Sequence, residues 1–176
     1  MPAVKGRAPQ EAAGDFGAAH AGSYLTFVLG DEEYGVELLR VREIIALVPI
    51  TPMPMTKPYL RGVMNLRGRV IPVVDMRQKF AMQVTPDHDR KCIIVVDIEA
   101  DDRMLRMGCL VDSVCDVGEV IAEDVQAASS FAGTVQRGFI RAVARTENGV
   151  KLLLDIDSVL GEAARATEGD SAAAPE

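Results

Sequence analysis

Apolar positions along the chain cluster in short runs separated by glycines, prolines and charges, and no long stretch keeps helical spacing. That pattern predicts a β protein built from short strands. Runs 24–30, 34–38 and 44–48 read as strands, with Asp31, Glu32 and Glu33 turning the chain between the first two. Positions 39–43 suit either a helical turn or a strand. Pro49, Pro52, Pro54 and Pro58 make 50–57 a rigid connection, because proline fixes φ and restricts the residue before it. Within 62–76, two apolar runs flank a polar break at Arg67-Gly68-Arg69, the mark of a hairpin whose turn uses the positive φ open to Gly68. Arg67 then sits near a loop tip, where a long guanidinium can reach a partner. Pro72 has no N–H for a ladder, so its strand is expected at an edge, or Pro72 at a strand start or bulge. Asp75 ends the run and is placed to cap a helical turn over 76–80.

After a polar connector at 84–89 the plan repeats. Runs 92–98 and 104–111 read as strands around the charged turn 99–103, followed by 117–121, 139–145 and 150–154. Asn148-Gly149 is a strong hairpin turn, and Asp155 or Asp157 can cap a short helix through Val159 and Leu160. The repetition extends to residues. Tyr59-Leu60-Arg61-Gly62-Val63 recurs 80 positions later as Phe139-Ile140-Arg141-Ala142-Val143, and the same offset pairs Asp75 with Asp155. Gly35-Val36-Glu37-Leu38 and Val41-Arg42-Glu43-Ile44 align at an offset of 73 with Gly108-Cys109-Leu110-Val111 and Val114-Cys115-Asp116-Val117. Two aligned blocks in the same order argue for an internal duplication. Five strands in each half, without long helices to cover a parallel sheet, predict an all-β fold of two small five-stranded barrels with short helical segments. Two barrels side by side leave a groove suited to a partner helix.

Composition narrows the function. The 176 residues are 48% hydrophobic, enough for a real core, but contain no Trp and few aromatics on which bases could stack. A net charge of −7 with scattered arginines disfavours nucleic acid. No apolar run approaches the ~18 residues of a spanning helix, and no secretory signal is visible, so direct membrane insertion is not expected. Cys92, Cys109 and Cys115 form no Cys-x-x-Cys and lie in or beside apolar runs, which suggests buried reduced thiols and a cytosolic compartment. Residues 1–22 read as a disordered leader, and 161–176 as a tail free to fray.

Candidates for chemistry are thin. His20 lies in the leader. His88, between Asp87 and Asp89, sits in a connector where solvation is the simpler reading than metal binding. No phosphate loop, dinucleotide fingerprint or nucleophile elbow occurs. Asp75 and Asp155 could tempt towards an acid–base pair, but each follows an apolar strand and precedes a helix-like segment, so capping is favoured. A catalytic or small-molecule-binding barrel using Asp75, Asp155 or His88, and a barrel that only self-associates, are the rival readings. No catalytic residue, metal or cofactor is assigned. Glu43, inside Val41-Arg42-Glu43-Ile44-Ile45, and Arg67 at the hairpin carry opposite charges that could pair across the first barrel.

Phe27-Val28-Leu29-Gly30-Asp31-Glu32-Glu33-Tyr34-Gly35-Val36, then Val41-x-Glu43-Ile44, then Gly62-x-x-Asn65-Leu66-Arg67-Gly68-x-x-Ile71-Pro72-Val73-Val74-Asp75, together resemble the CheW family of bacterial chemotaxis coupling proteins. The likeness spans about 23–160. It implies two SH3-like barrels, about 23–83 and 84–160 with strand or helix exchange between them allowed. It also implies a noncatalytic adaptor in the cytoplasm, recruited to membrane chemoreceptor clusters. Its partners would be the cytoplasmic tip of methyl-accepting receptors, the regulatory domain of the histidine kinase CheA, and CheW-like neighbours in rings. Carried over by position, receptor contacts would be Val41, Glu43, Arg67, Gly108, Val114 and Val117. Leu38, Arg61 and Gly62 are weaker candidates for receptor or kinase contact. A detached CheA-like regulatory domain, or a scaffold of a non-flagellar pathway, shares the same implied fold.

Overall fold

The computed structural model describes residues 15–128, 138–147 and 149–173. The described strands are β1 (Gly22–Leu29), β2 (Glu32–Glu37), β3 (Val41–Ala46), β4 (Leu60–Leu66), β5 (Arg69–Asp75), β6 (Cys92–Ala100), β7 (Arg103–Val111), β8 (Ser113–Val120), β9 (Val125–Ala127), β10 (Ile140–Thr146) and β11 (Gly149–Leu154). Helix α1 covers Met76–Lys79 and α2 covers Ile156–Ala173, with 3-10 turns at Leu38–Arg40 and Ala122–Asp124. Asp75 does cap α1, accepting from the backbone N–H groups of Arg77 at 3.0 Å and Gln78 at 3.4 Å. Asp155 does the same for α2 through the N–H and hydroxyl of Ser158.

The strands form two sheets, ordered β8-β1-β2-β11-β10-β9 and β3-β6-β7-β5-β4. Neither sheet is assembled from one continuous half of the chain. The opening hairpin β1–β2 joins the sheet of β8 to β11, and its counterpart β6–β7 joins the sheet of β3 to β5. The halves 23–83 and 84–160 therefore trade hairpins, and each barrel contains both. The physical reason is visible in the packing. Successive side chains of a strand face opposite ways, and both faces of these hairpins are covered. Ile93 and Val95 of β6 fill the interior of one barrel, while Ile94, Val96 and Ile98 enter a core shared between the barrels. Tyr24 of β1 fills the other interior, while Leu25, Phe27 and Leu29 enter the same shared core. Burying each such aliphatic or Phe side chain is worth about 1.5–3 kcal/mol, so the apolar runs hold the hairpins between the barrels.

The duplication is exact in the backbone at several points. Val73 of β5 lies beside Gly108 of β7 in a parallel ladder, and Leu153 of β11 lies beside Gly35 of β2 in the other. A Cβ on Gly108 would stand 2.8 Å from Ile93 Cγ2, and one on Gly35 3.1 Å from Leu153 Cδ2, so both strands need a bare position there. The ladders of β4–β5 and β10–β11 slip at matching places, Leu60/Gly62 and Ile140/Ala142.

Four expectations are revised. Pro72 is not on an edge strand, because β5 lies between β4 and β7; the ladder to β7 begins one residue on, at Val73. The chain does not leave helical structure at 161. Val159, Leu160, Ala163 and Ala164 recur at helical spacing and are buried, and α2 continues to Ala173. Cys109 is buried, its thiol pushed up to about 12 by burial, but Cys115 is exposed. Residues 1–14 of the leader and Asn148 of the second hairpin turn lie outside the described residues, whereas 15–20 are helical.

Candidate functional site

The turn joining β4 to β5 has two central residues, Arg67 at φ 52° and Gly68 at φ 85°. Positive φ at both central positions suits a two-residue hairpin loop, but a side chain at the first is disfavoured. Asn65 Oδ1 accepts from the Gly68 N–H at 2.9 Å and helps hold the turn. From this tip the Arg67 guanidinium reaches back to Glu43 on β3, with Nη1 donating to Oε1 at 2.5 Å and Nη2 to Oε2 at 2.9 Å. The fork matches the carboxylate on both oxygens. Hydrogen bonding to Arg67 lowers the Glu43 pKa and raises that of Arg67. The Arg67 side chain remains 72% exposed.

Strands β3 and β4 are the two ends of their sheet, so this ion pair spans the seam where the barrel closes. The proline-rich connection finishes the closure: Thr51 and Val63 exchange two backbone hydrogen bonds, at 2.8 and 2.9 Å. Gly62 makes that approach possible. At φ 144° its Cβ would lie 2.1 Å from the Thr51 carbonyl oxygen. Arg61, next to it, holds the second connector, donating to Asp87 at 3.0 Å and standing 3.7 Å from Asp75. Among the described residues the buried Asp75 Oδ2 has no hydrogen-bond donor, and Arg61 supplies the charge facing it.

The other residues singled out from sequence fall elsewhere. Gly108 is in the middle of β7, between Val95 and Val73, and acts by leaving room for Ile93 rather than by facing outward. Leu38, Val41 and Val114 are half-buried against the shared inter-barrel core. Val41 and Val114 are repeat-equivalent, and they face Val96 and Phe27 respectively. Val117 is exposed on β8. The structure thus joins Glu43 to Arg67, gathers Leu38, Val41 and Val114 on one core, and separates Arg61, Gly62 and Gly108 as framework residues. His88 accepts from the Arg90 N–H through Nδ1 at 3.1 Å and from the Lys91 N–H through its carbonyl at 3.2 Å, contacts that order the connector.

Long-range pairs escaped the sequence. Arg40 forks onto Asp157 at 2.9 and 2.7 Å, tying the turn before β3 to α2. Arg77 forks onto the buried Asp112 at 2.7 and 2.6 Å, and Asp112 also accepts from the Gly30 N–H at 2.8 Å. Burial opposes ionisation of Asp112, but the Arg77 and Gly30 hydrogen bonds outweigh it and lower its pKa. Between the barrels, Lys79 Nζ lies 4.2 Å from the Tyr59 ring centre and 5.1 Å from that of Phe139, with Glu162 3.6 Å away. Burial and the Glu162 carboxylate push the Tyr59 hydroxyl up to about 12. Tyr59 and Phe139 are repeat-equivalent, which is the one signal that could have marked this spot.

Two clefts open beside the starts of the parallel ladders β5–β7 and β2–β11, and they differ in charge. One, of about 210 Å³, is lined by Arg69, Val70, Pro72, Met104 and Arg106. Another, of about 390 Å³ near the β2–β11 pairing, is lined by Asp31, Glu32, Glu33, Asp116, Val150 and Lys151. Among the described residues, no group of three or more His, Cys, Asp or Glu side chains could hold a metal ion, and no helix is long and apolar enough to cross a membrane.

Two hairpin-exchanged barrels on a common core, with an ion-paired seam and charged clefts, define a two-barrel β module whose distinctive chemistry lies on its surface. Residues 23–164 match the CheW-like domain model. The chain belongs to the CheW-like family, and so to a class of chemotaxis scaffold proteins. It is 37% identical over 135 residues to a chemotaxis protein CheW of Rhizobium meliloti, covering 77% of this chain and 84% of that one. Against the chemotaxis protein CheW of Klebsiella aerogenes the identity is 34% over 137 residues, covering 78% and 80%. The scaffolding protein TtCheW from Thermoanaerobacter tengcongensis superposes with a TM-score of 0.71 at 25% identity, covering 80% of this chain and 92% of that one.

Proposed function

We propose that the protein couples chemoreceptors to a histidine kinase, binding the cytoplasmic tip of methyl-accepting receptors and the regulatory domain of CheA together. The observation that carries this reading is the Arg67–Glu43 pair. An arginine held at positive φ on an exposed tip contradicts local preference, and an exposed ion pair adds little to stability. Such an arrangement fits recognition better than folding, and it occurs in a chain of the CheW-like family. Arg67 and Glu43 would meet the receptor, while Val41, Val114 and Val117 offer apolar contact beside the inter-barrel core. Arg61, Gly62 and Gly108 would act by holding the backbone that presents them.

The mechanism is binding linkage. A scaffold that prefers one receptor state biases the kinase bound to it, and about 1–3 kcal/mol of coupling suffices for useful control. The charge contrast between the two clefts, Arg69 and Arg106 (the latter paired with Asp97) against Asp31, Glu32 and Glu33 (the last paired with Lys151), supports head-to-tail contact with CheW-like neighbours in a ring. The protein would work in the cytoplasm, gathered at membrane receptor clusters.

Kinase activity in a reconstituted mixture of cognate receptor, CheA and this protein tests the proposal. Receptor control should depend on the wild-type protein and fall sharply with Arg67→Ala. If verified partners respond identically with and without the protein, the coupling role is wrong. If Arg67→Ala couples as well as wild type, the role stands and the site moves elsewhere.

A further inference from the structure

The family match begins at residue 23, yet ordered contacts begin earlier. Residues 15–20 form a short helical segment, and Phe16 packs on Tyr24, Val120, Val125, Ala142, Ala144 and Leu153, the interior cluster of the β8–β11 barrel. This interior has small residues where the other barrel has bulk: Ala144 occupies the position of Met64. The other barrel also receives Leu47, Val48 and Ile50 from its proline-rich strap. Among the described residues, Phe16 adds side-chain volume to this interior from outside the repeat.

The fit is specific. Gly17 is buried, and a Cβ there would lie 2.4 Å from the carbonyl oxygen of Ala122, the first residue of the 3-10 turn between β8 and β9. The Tyr24 hydroxyl donates to the His20 carbonyl at 2.7 Å, fastening the end of the segment to β1. His20 Nδ1 lies 2.9 Å from the Phe16 carbonyl oxygen, and the two rings stack at 4.3 Å. Gly22, at φ 141°, then turns the chain into β1.

We propose that residues 15–20 are a plug built into the fold, with Phe16 closing the mouth of the β8–β11 barrel and Gly17 seated on Ala122 to fix the β8–β9 corner. The plug needs neither receptor nor kinase, so its test is separate from that of coupling.

Gly17→Ala in the full-length chain gives opposite signs for a docked and an undocked segment. In a free helix alanine is preferred over glycine; in the docked plug its methyl group must push against Ala122. Gly17→Ala and Phe16→Ala should each lower Tm by about 2–4 °C, and the double variant by little more than one of them. Amide exchange should quicken at 118–127 and 142–144 while 62–74 of the other barrel stays unchanged. A Tm that holds or rises in Gly17→Ala, with unchanged exchange at 118–127, overturns the plug. So does exchange that quickens equally in both barrels, which would mark general destabilisation.

Discussion

The β4–β5 and β10–β11 hairpins occupy matching places in the two repeats, yet they end in opposite electrostatics. The first presents Arg67 to Glu43 across the barrel seam. At the same offsets the second carries Glu147 in place of Arg67 and Asp116 in place of Glu43, two acids where the first has an ion pair. What persists between the repeats is whatever the backbone requires: Gly35 and Gly108 under a neighbouring side chain, Asp75 and Asp155 at helix starts, and the shared slip in the hairpin ladders. What diverges is the charge offered to solvent. Duplication has kept the frame while the surface charge has diverged.

The repeats differ most in backbone demand at Gly62, whose repeat equivalent is already alanine, Ala142. Gly62→Ala should cost about 4 kcal/mol in urea unfolding, because it joins a disfavoured φ to a clash with the Thr51 carbonyl. Ala142→Gly should cost only about 1 kcal/mol, since Ala142 has no positive φ and pairs laterally with Ala127. Equal costs would mean that the close approach of Thr51 to Gly62 does not set the difference.

Next in size is the Arg77–Asp112 pair, which joins α1 to the β7–β8 corner. Arg77→Ala strands a buried carboxylate and should cost about 3 kcal/mol by chemical denaturation. The folded state lowers the Asp112 pKa, so its contribution is complete above the unfolded value of about 3.9. It disappears as the pH falls through the lower folded value. Asp112→Asn should therefore weaken the protein at neutral pH and flatten the acid limb of its stability profile. An unchanged acid limb would remove Asp112 as its source.

The buried glycines should rank by their contacts. Gly108→Ala, at 2.8 Å from Ile93, should cost about 2 kcal/mol, and Gly35→Ala, at 3.1 Å from Leu153, about 1 kcal/mol. Calorimetric melts that reverse this order would show that side-chain give, not distance, controls the pair. The smallest effect on stability belongs to Arg67→Glu, which imposes the second repeat's charges on the first. Its Tm should match wild type while receptor control of the kinase is lost, a separation that a purely structural ion pair would not produce.

Local features were legible in the sequence. The hairpin turn at Gly68, the two capping aspartates and the duplication all rest on neighbouring residues or a fixed offset. The pairing of Glu43 with Arg67 was legible because opposite charges interrupted apolar strands. Residues joined only by topology were not: Arg40 and Asp157 have no spacing rule to connect them, nor do Arg77 and Asp112. Gly108 could be picked out, and a backbone part for it foreseen, but the neighbour that needs the bare position, Ile93, is brought there only by the β6–β7 pairing. The helical segment at 15–20 was hidden by alanine and glycine, whose composition suggests disorder until the barrel mouth supplies a seat.

The traded hairpins also govern the order in which the molecule can be made. When β1 and β2 emerge during synthesis, one neighbour of β2 is still missing: Glu33, Tyr34 and Gly35 must wait for Lys151, Leu152 and Leu153. Strands β3, β4 and β5 face a shorter delay, until β6 and β7 arrive. The barrel that starts first therefore finishes last, with an unpaired strand margin exposed through most of translation. The same trade makes the halves interdependent: each sheet takes strands from both, so neither repeat closes its own barrel in this arrangement.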